Sequence, residues 1–394
     1  MESSENKLMR ELERGMEEAS AQQEQETSES KEHRRHHHHH HHHSGKKHRK
    51  HRSTKSKNRK KMIKRILIIA AALLLTAVIA VAATLFAMYR NGRYETIADN
   101  YDIKAPADVT VGRKGEYVYY NGSRYNLNKD IITMLFLGVD NSDSEAEKKM
   151  IGNNHQSDVI LVGAIDKANQ KISIINVPRD LITDVNVYSP GGGYVGQERM
   201  QIALAYAYGD GAHSSCTNSK EAVSRLFYNL PISTYMSLNM DGITAINDSI
   251  GGVDVVSPET IGEFKKGETY HLEGAEARYF IEQRSMERAD ANLLRNERQK
   301  TYVQAFLQKL IKETKSDISV PVDLFNVAQD YICTNISTDR ITYLATEFVV
   351  NRNMKLEFLS VPVDVAAKDG AAENYLKEAE FYEQFLSVFY NKEK

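Results

Sequence analysis

Tryptophan is absent from this 394-residue chain, cysteine occurs twice and proline seven times. Two cysteines, Cys216 and Cys333, are too few for a disulfide scaffold, and no Cys/His cluster with zinc spacing or Cys nucleophile with its His surrounds them. An oxidising exterior would permit one disulfide between them, and two separate buried thiols are the other reading. The net charge of −2 excludes a chain that is basic throughout. Gly191-Gly192-Gly193 lacks the Gly-Lys-Ser/Thr ending and the strand-to-helix setting of a nucleotide-binding loop. Only one long charge-free apolar run occurs, so the chain does not read as a multi-span membrane protein.

The near-zero net charge conceals two unlike parts. Up to Arg65, 18 basic residues stand against 10 acidic ones, a balance of +8, and the remainder carries 33 against 43, a balance of −10. Residues 1–61 have few aliphatic side chains, no aromatics, a Glu/Gln/Ser tract, eight histidines at His36–His43 and a Lys/Arg-rich stretch. Such a segment cannot bury enough apolar surface to fold and is expected to be disordered. The histidine run is either native low complexity or an appended tag, and metal binding there would be incidental. Ile66 to Tyr89 holds 24 residues without a charge, roughly 36 Å as a helix, enough to cross a bilayer. Dense Lys/Arg before it predicts a cytoplasmic N-terminus, and the absence of a convincing cleavage site predicts a retained signal-anchor, with everything after Arg90 outside the cell.

Three apolar runs then organise the chain: Ile131–Asp140, Gln156–Gly163 and Ile172–Asp180. Near-continuous apolarity predicts strands buried on both faces of a sheet. Charges gather at their ends: Asp140 closes the first, Asp158 enters the second, and Arg179-Asp180 close the third. If the first pair is antiparallel, Asp140 and Asp158 meet on one rim, where two carboxylates could hold a hard divalent cation. Arg179 could then face an anion beside it.

Around this core, Glu116–Leu127 reads as a hairpin turning at Asn121-Gly122, a small flap on the domain. Gly191–Gly196 reads as a mobile loop and Gln201–Gly211 as a short helix broken by glycine. Helix over Ser219–Tyr228, strand over Ile232–Leu238, helix over Asp241–Ile250 and strand over Val253–Val256 follow, an α/β alternation. In a helix opening near Asp290, spacing by three and four puts Arg295, Arg298, Gln299 and Tyr302 on one face, with Leu294, Val303, Phe306, Leu307 and Leu310 on the opposite, core-forming face. Several guanidinium forks at one place suit a diphosphate. Further elements are a helix at Val322–Tyr331, another at Asp339–Val350, an apolar strand at Leu356–Val363 and an amphipathic helix at Tyr375–Tyr390. Its Phe381, Phe385, Leu386, Val388 and Phe389 are assigned to the core.

Leu137-Gly-Val-Asp140, Ser157-Asp158, Pro178-Arg-Asp180, Ala205-Tyr-Ala-Tyr-Gly209, Gly251-Gly-Val-Asp-Val255, Leu272-Glu-Gly-Ala-Glu-Ala277 with Arg284, and Arg295-Asn-Glu-Arg-Gln299 occur in one order between about Asp130 and Glu313. With the membrane anchor before them, they make the chain resemble the LytR-CpsA-Psr family of cell-wall enzymes of Gram-positive bacteria, as a divergent member of clostridial type. The resemblance implies an α/β/α sandwich, a central mixed sheet flanked by helices. It also implies transfer of a polyprenyl-diphosphate-linked glycopolymer, of teichoic acid or capsule type, to peptidoglycan. Carried over by position, Asp140 and Asp158 would bind Mg2+ or Mn2+. Arg179, Arg284 and Arg295 would grip the diphosphate with Gln299 and Arg298, Asp180 would orient Arg179, and Gln156 would lie on the substrate side. Gln156, Gln201, Ala203 and Glu282 depart from the family's pattern, each where a cation or an amide is common.

The expected layout is a cytoplasmic tail over 1–61, a signal-anchor over 62–90, a linker and hairpin over 91–128, a catalytic core over 129–315 and a C-terminal α/β part over 316–394 packed on the same domain. The departures motivate an alternative: a catalytically weakened protein that binds polymer precursors and scaffolds or regulates envelope assembly. No nucleic-acid partner is expected, because membrane orientation and attraction to anionic lipid account for the basic run.

Overall fold

The computed structural model describes residues 54–96, 101–139, 155–285, 291–351, 354–368 and 371–393. Most of the basic tail with its histidine run, and Asp140, lie outside these residues. The chain forms two units, Met1–Leu74 and Leu75–Lys394. All described residues of the first belong to helix α1, Thr54–Thr96, which continues into the second. Within it Leu73–Glu95 contains a stretch long and apolar enough to cross a membrane.

In the second unit the strands are β1 Thr110–Val111, β2 Tyr117–Tyr120, β3 Ser123–Leu127, β4 Ile131–Val139, β5 Ser157–Asp166, β6 Lys171–Asn176, β7 Ile182–Tyr188 and β8 Tyr194–Gln201. Helices α2 Leu204–Ala207 and α3 His213–Leu226 precede β9 Thr234–Asn239, α4 Gly242–Ser249, β10 Val253–Val256, β11 Thr269–Leu272, α5 Ala275–Glu282 and α6 Ala291–Ser316. The chain closes with α7 Val320–Ala328, β12 Ile332–Thr334, α8 Thr338–Val350, β13 Lys355–Ser360, β14 Val363–Lys368, β15 Ala371–Leu376, α9 Glu378–Phe389 and β16 Tyr390–Lys392.

The central sheet is mixed, in the order β12-β9-β4-β5-β6-β13. β5 runs antiparallel to both β4 and β6, while β9 joins β4 and β13 joins β6 in parallel. Helices cover both faces, which is why these strands are apolar at nearly every position. Leu135, Leu137, Ile160, Val162 and Ile175 face α3 and α9, where Phe381, Phe385, Leu386 and Phe389 are all buried. Ile132, Met134, Ile172 and Ile174 face the other way, toward residues of α6, α7 and α8. A third cluster joins α4, α5 and α6 to the β10–β11 pair around Phe264 and Phe280.

The β2–β3 hairpin turns at Asn121-Gly122, both at positive φ (48° and 73°), and joins β16 in a small sheet rather than forming a free flap. The glycine-rich segment is the turn of a hairpin between β7 and β8, closed by the Ser189 amide donating to the Gly193 carbonyl at 2.8 Å. β7 and β8 have no counterpart among the strands expected from the sequence. The β14–β15 hairpin likewise replaces the expected start of the last helix. Cys216 and Cys333 are free thiols, the first buried and the second half-buried with its Sγ 3.4 Å from His213 Nδ1.

Candidate active site

Because β4, β5 and β6 run antiparallel in turn, the end of β4, the start of β5 and the end of β6 share one rim. Pairing of β4 with β5 slips there: Gly138 opposes Val159 and Val139 opposes Ser157, so Asp158 is an extra residue with no partner in β4. Such bulges re-aim a side chain at a sheet edge. Beyond β6, the Val177 amide still donates to the Ile160 carbonyl at 2.9 Å, which carries Arg179 up to Asp158.

Arg179 is the hub of the rim. Its Nη1 pairs with Asp158 Oδ1, its Nη2 donates to Gln156 Oε1 at 2.5 Å, and its Nε lies 3.6 Å from Asp180 Oδ1. Burial lowers the Arg179 pKa, and neighbouring Arg295 lowers it further, against the Asp180 carboxylate. Burial also raises the Asp180 pKa, opposed by Arg179 and Arg295. Four of the expected residues thus meet, Gln156, Asp158, Arg179 and Asp180, and Arg295 lies near enough to act on Arg179 and Asp180 through its charge. Gln156, where a cation is common, accepts a hydrogen bond from Arg179 and so fixes its fork. The Arg179 carbonyl accepts from the Ala203 amide at 3.1 Å, and the Ala203 carbonyl accepts from the Ser157 amide at 3.3 Å. Ala203 therefore ties both rim strands through its backbone. Asn374 of β15 donates to the Asp180 carbonyl at 2.9 Å, so the tail, in which the sequence disclosed no chemistry, buttresses the site.

Arg284 is exposed just beyond α5. Arg298, expected among the diphosphate ligands, is fully buried: it pairs with Glu259 and donates to the Phe280 carbonyl at 2.8 Å and to the Gln283 carbonyl. Burial lowers its pKa to about 10, which leaves it charged at neutral pH. The correction has a physical cause. Helical spacing gives a shared face but not what packs against it, and here the end of α5 and Glu259 close over the guanidinium. Arg298 braces the turn from which Arg284 emerges. Glu282 is paired by Arg278 Nε at 2.6 Å, and Arg278 also reaches Asp241.

Behind the rim lies an apolar cavity of about 390 Å³ between the sheet and α6, α7 and α8. Among the described residues that line it, only Gln299, Tyr302 and Thr314 carry nitrogen or oxygen in their side chains. Gln299 sits one turn after Arg295 and donates to the Ile281 carbonyl at 3.4 Å. Gly138 and Val159, beside the bulge, also line the cavity, so it reaches the charged rim. Gln299 and Tyr302 share this wall with Val303, Phe306 and Leu310, so the polar and apolar faces expected to be opposite each other on α6 meet in one surface. The sequence did not name these walls. Gly138 and Gly163, glycines inside apolar strands, were the available signal, since a strand glycine marks a place where a ligand or backbone comes close.

The model of the LytR_cpsA_psr family matches residues 93–387. The chain belongs to the LytR-CpsA-Psr family. It is 29% identical over 259 residues to the Bacillus cereus polyisoprenyl-teichoic acid–peptidoglycan teichoic acid transferase TagU, covering 63% of this chain and 74% of that protein. It is 28% identical over 229 residues to TagU of Oceanobacillus iheyensis, covering 57% of this chain and 65% of the relative, just under two thirds of its length. TagV of Bacillus subtilis is 25% identical over 258 residues, covering 61% and 60%. Among solved structures, protein gbs0355 from Streptococcus agalactiae is similar with a TM-score of 0.52 at 18% identity, over 66% of this chain and 86% of that one. A transcriptional regulator from Enterococcus faecalis is similar with a TM-score of 0.50 at 18% identity, over 66% and 87%. These two show a shared fold.

Proposed function

We propose that this protein is a membrane-anchored transferase that moves a glycopolymer from a polyprenyl diphosphate carrier onto a hydroxyl of peptidoglycan, with its N-terminus cytoplasmic and its domain outside. The observation that carries the reading is an apolar cavity ending at a rim where Arg179 is held by Asp158, Gln156 and Asp180. The polyprenyl tail suits the cavity and the diphosphate suits the rim, a union that neither feature would need alone. The relatives' teichoic acid transferase names support this substrate class.

In the reaction the acceptor hydroxyl oxygen attacks the polymer-side phosphorus, the bond to the bridging oxygen breaks, polyprenyl phosphate leaves, and the hydroxyl proton passes to solvent. Charge builds on the departing phosphate, where the guanidiniums of Arg179 and Arg295 would stabilise it. Asp180 orients Arg179, and Arg284 would close on the diphosphate from the α5 side. Among the described residues no group of three or more His, Cys, Asp or Glu side chains could hold a metal. Asp158, at the bulge, is a half-buried oxygen donor of the kind a hard cation takes, and with Asp140 it would hold Mg2+ or Mn2+. When bound, the cation supplies charge neutralisation at the diphosphate oxygens.

The weakened-enzyme alternative drew on Glu282 as a charge reversal near an anion. Arg278 offsets that charge, which favours an active site. The test is release of polyprenyl phosphate by the full chain in vesicles containing a polyprenyl-diphosphate glycopolymer, with peptidoglycan as acceptor. Arg179→Ala should reduce release by at least roughly a hundredfold, the scale of one lost transition-state donor, with an unchanged melting temperature. Full release by that variant would overturn the reading.

A further inference from the structure

Helix α1 does not end free of the domain. Its last turns lie against α8. The Tyr89 ring meets Tyr343 edge-to-face at 5.2 Å, and its hydroxyl donates to Glu347 Oε1 at 2.8 Å. A Cβ on Gly92 would stand 2.2 Å from the Asp339 carbonyl oxygen and 2.9 Å from Tyr343 Cβ, so only glycine permits this approach. Ser337, the N-cap of α8, donates to Glu95 Oε2 at 2.7 Å, and Arg340, almost fully buried, donates to the Glu95 carbonyl at the C-terminal end of α1. A cation there also complements the helix dipole.

The contacts on α8 fall at 339, 340, 343 and 347, one stripe at helical spacing. Ile341, Leu344 and Ala345, on its other side, line the apolar cavity. One helix is therefore the partition between anchor and cavity, and the two are separated by about 10 Å, the diameter of a helix with its side chains. This juxtaposition is unexpected if α1 serves only as a tether, for which a flexible connector would suffice.

We propose that Tyr89, Gly92 and Glu95 form a latch that holds the α8 wall of the cavity against the membrane surface, so that a polyprenyl chain passes from the bilayer into the cavity without crossing water. The three are positioning residues, and the inference rests on the lipid reading given above. Its consequence is a split between substrates presented in a membrane and the same lipid presented in solution.

The experiment uses the full chain and a photoactivatable polyprenyl monophosphate, which reports cavity occupancy whether or not transfer occurs. In phospholipid vesicles the probe should label α8 peptides of the unaltered protein, and Gly92→Leu should lower labelling by roughly tenfold through lost effective concentration. In detergent solution the same variant should be labelled as the unaltered protein is. Tyr89→Ala should show the same split more weakly, and Tyr89→Phe, which keeps the ring contact, should restore most vesicle labelling. Equal labelling of Gly92→Leu and unaltered protein in vesicles overturns the latch. Equal loss in both media also overturns it, because the cavity itself would then be damaged. If the split appears but the unaltered protein releases no polyprenyl phosphate from its diphosphate, the latch stands and the transferase reading fails.

Discussion

The two faces of the central sheet begin from similar strands and end differently. On one, Phe381, Phe385 and Phe389 of α9 fill the space over Leu135, Leu137 and Val162. On the other, α6, α7 and α8 stand over Met134, Phe136 and Leu161 and leave a cavity of about 390 Å³. Apolar strands alone do not say whether a face will be packed or hollow. The covering helices decide, and a sealed face stores stability while a hollow one gives up contacts for room.

The contrast can be broken most strongly on the filled face. Phe385→Ala should cost about 3–5 kcal/mol through lost burial and a new void, read as a lower denaturation midpoint with an unchanged slope. Filling the hollow face should have the opposite character. Ala345→Phe projects into the cavity and should lower lipid capture by roughly tenfold or more, about 1.4 kcal/mol, with little change in melting temperature. Leu310→Ala, which enlarges a space already present, should cost only about 1 kcal/mol, because the transfer term remains but little new cavity is made. A cost equal to that of Phe385→Ala would mean that the hollow face is closed in solution.

The smallest effect lies at the rim where the cavity ends. Burial raises the Asp180 pKa, so this carboxyl protonates at a higher pH than an ordinary aspartate. As pH falls through that raised value its ion pair with Arg179 is lost, and the rate of transfer should decline there. The linkage to stability has the other sign. A raised folded-state pKa favours the protonated fold, so this residue stabilises below its unfolded pKa and ceases to do so as pH rises through the folded one. Asp180→Asn should remove the acid limb from the rate profile, and an unaltered limb would assign it to another group.

Much of the rim was legible in the residues. Continuous apolar runs predicted β4, β5 and β6, and antiparallel order brought Asp158, Arg179 and Asp180 to one edge. β7 and β8 escaped because β7 buries the polar Thr183 and Asn186 and β8 buries no residue, so neither shows the apolar alternation that marks a strand. Arg298 was misread because spacing along α6 says which residues share a face and nothing of what covers it. Glu282 looked like a charge at odds with its surroundings until α5 placed Arg278 one turn before it.

By itself the sequence determined the apolar helix, the family-bearing motifs and the charged ends of three core strands, because these depend on residues near one another in the chain. The bulge that frees Asp158, the brace made by Arg298, the hollow behind the rim and the docking of Tyr89, Gly92 and Glu95 on α8 were decided only by tertiary structure. Each depends on which distant segment arrives to fill, or fails to fill, a given space, and close packing makes that a property of the assembled fold.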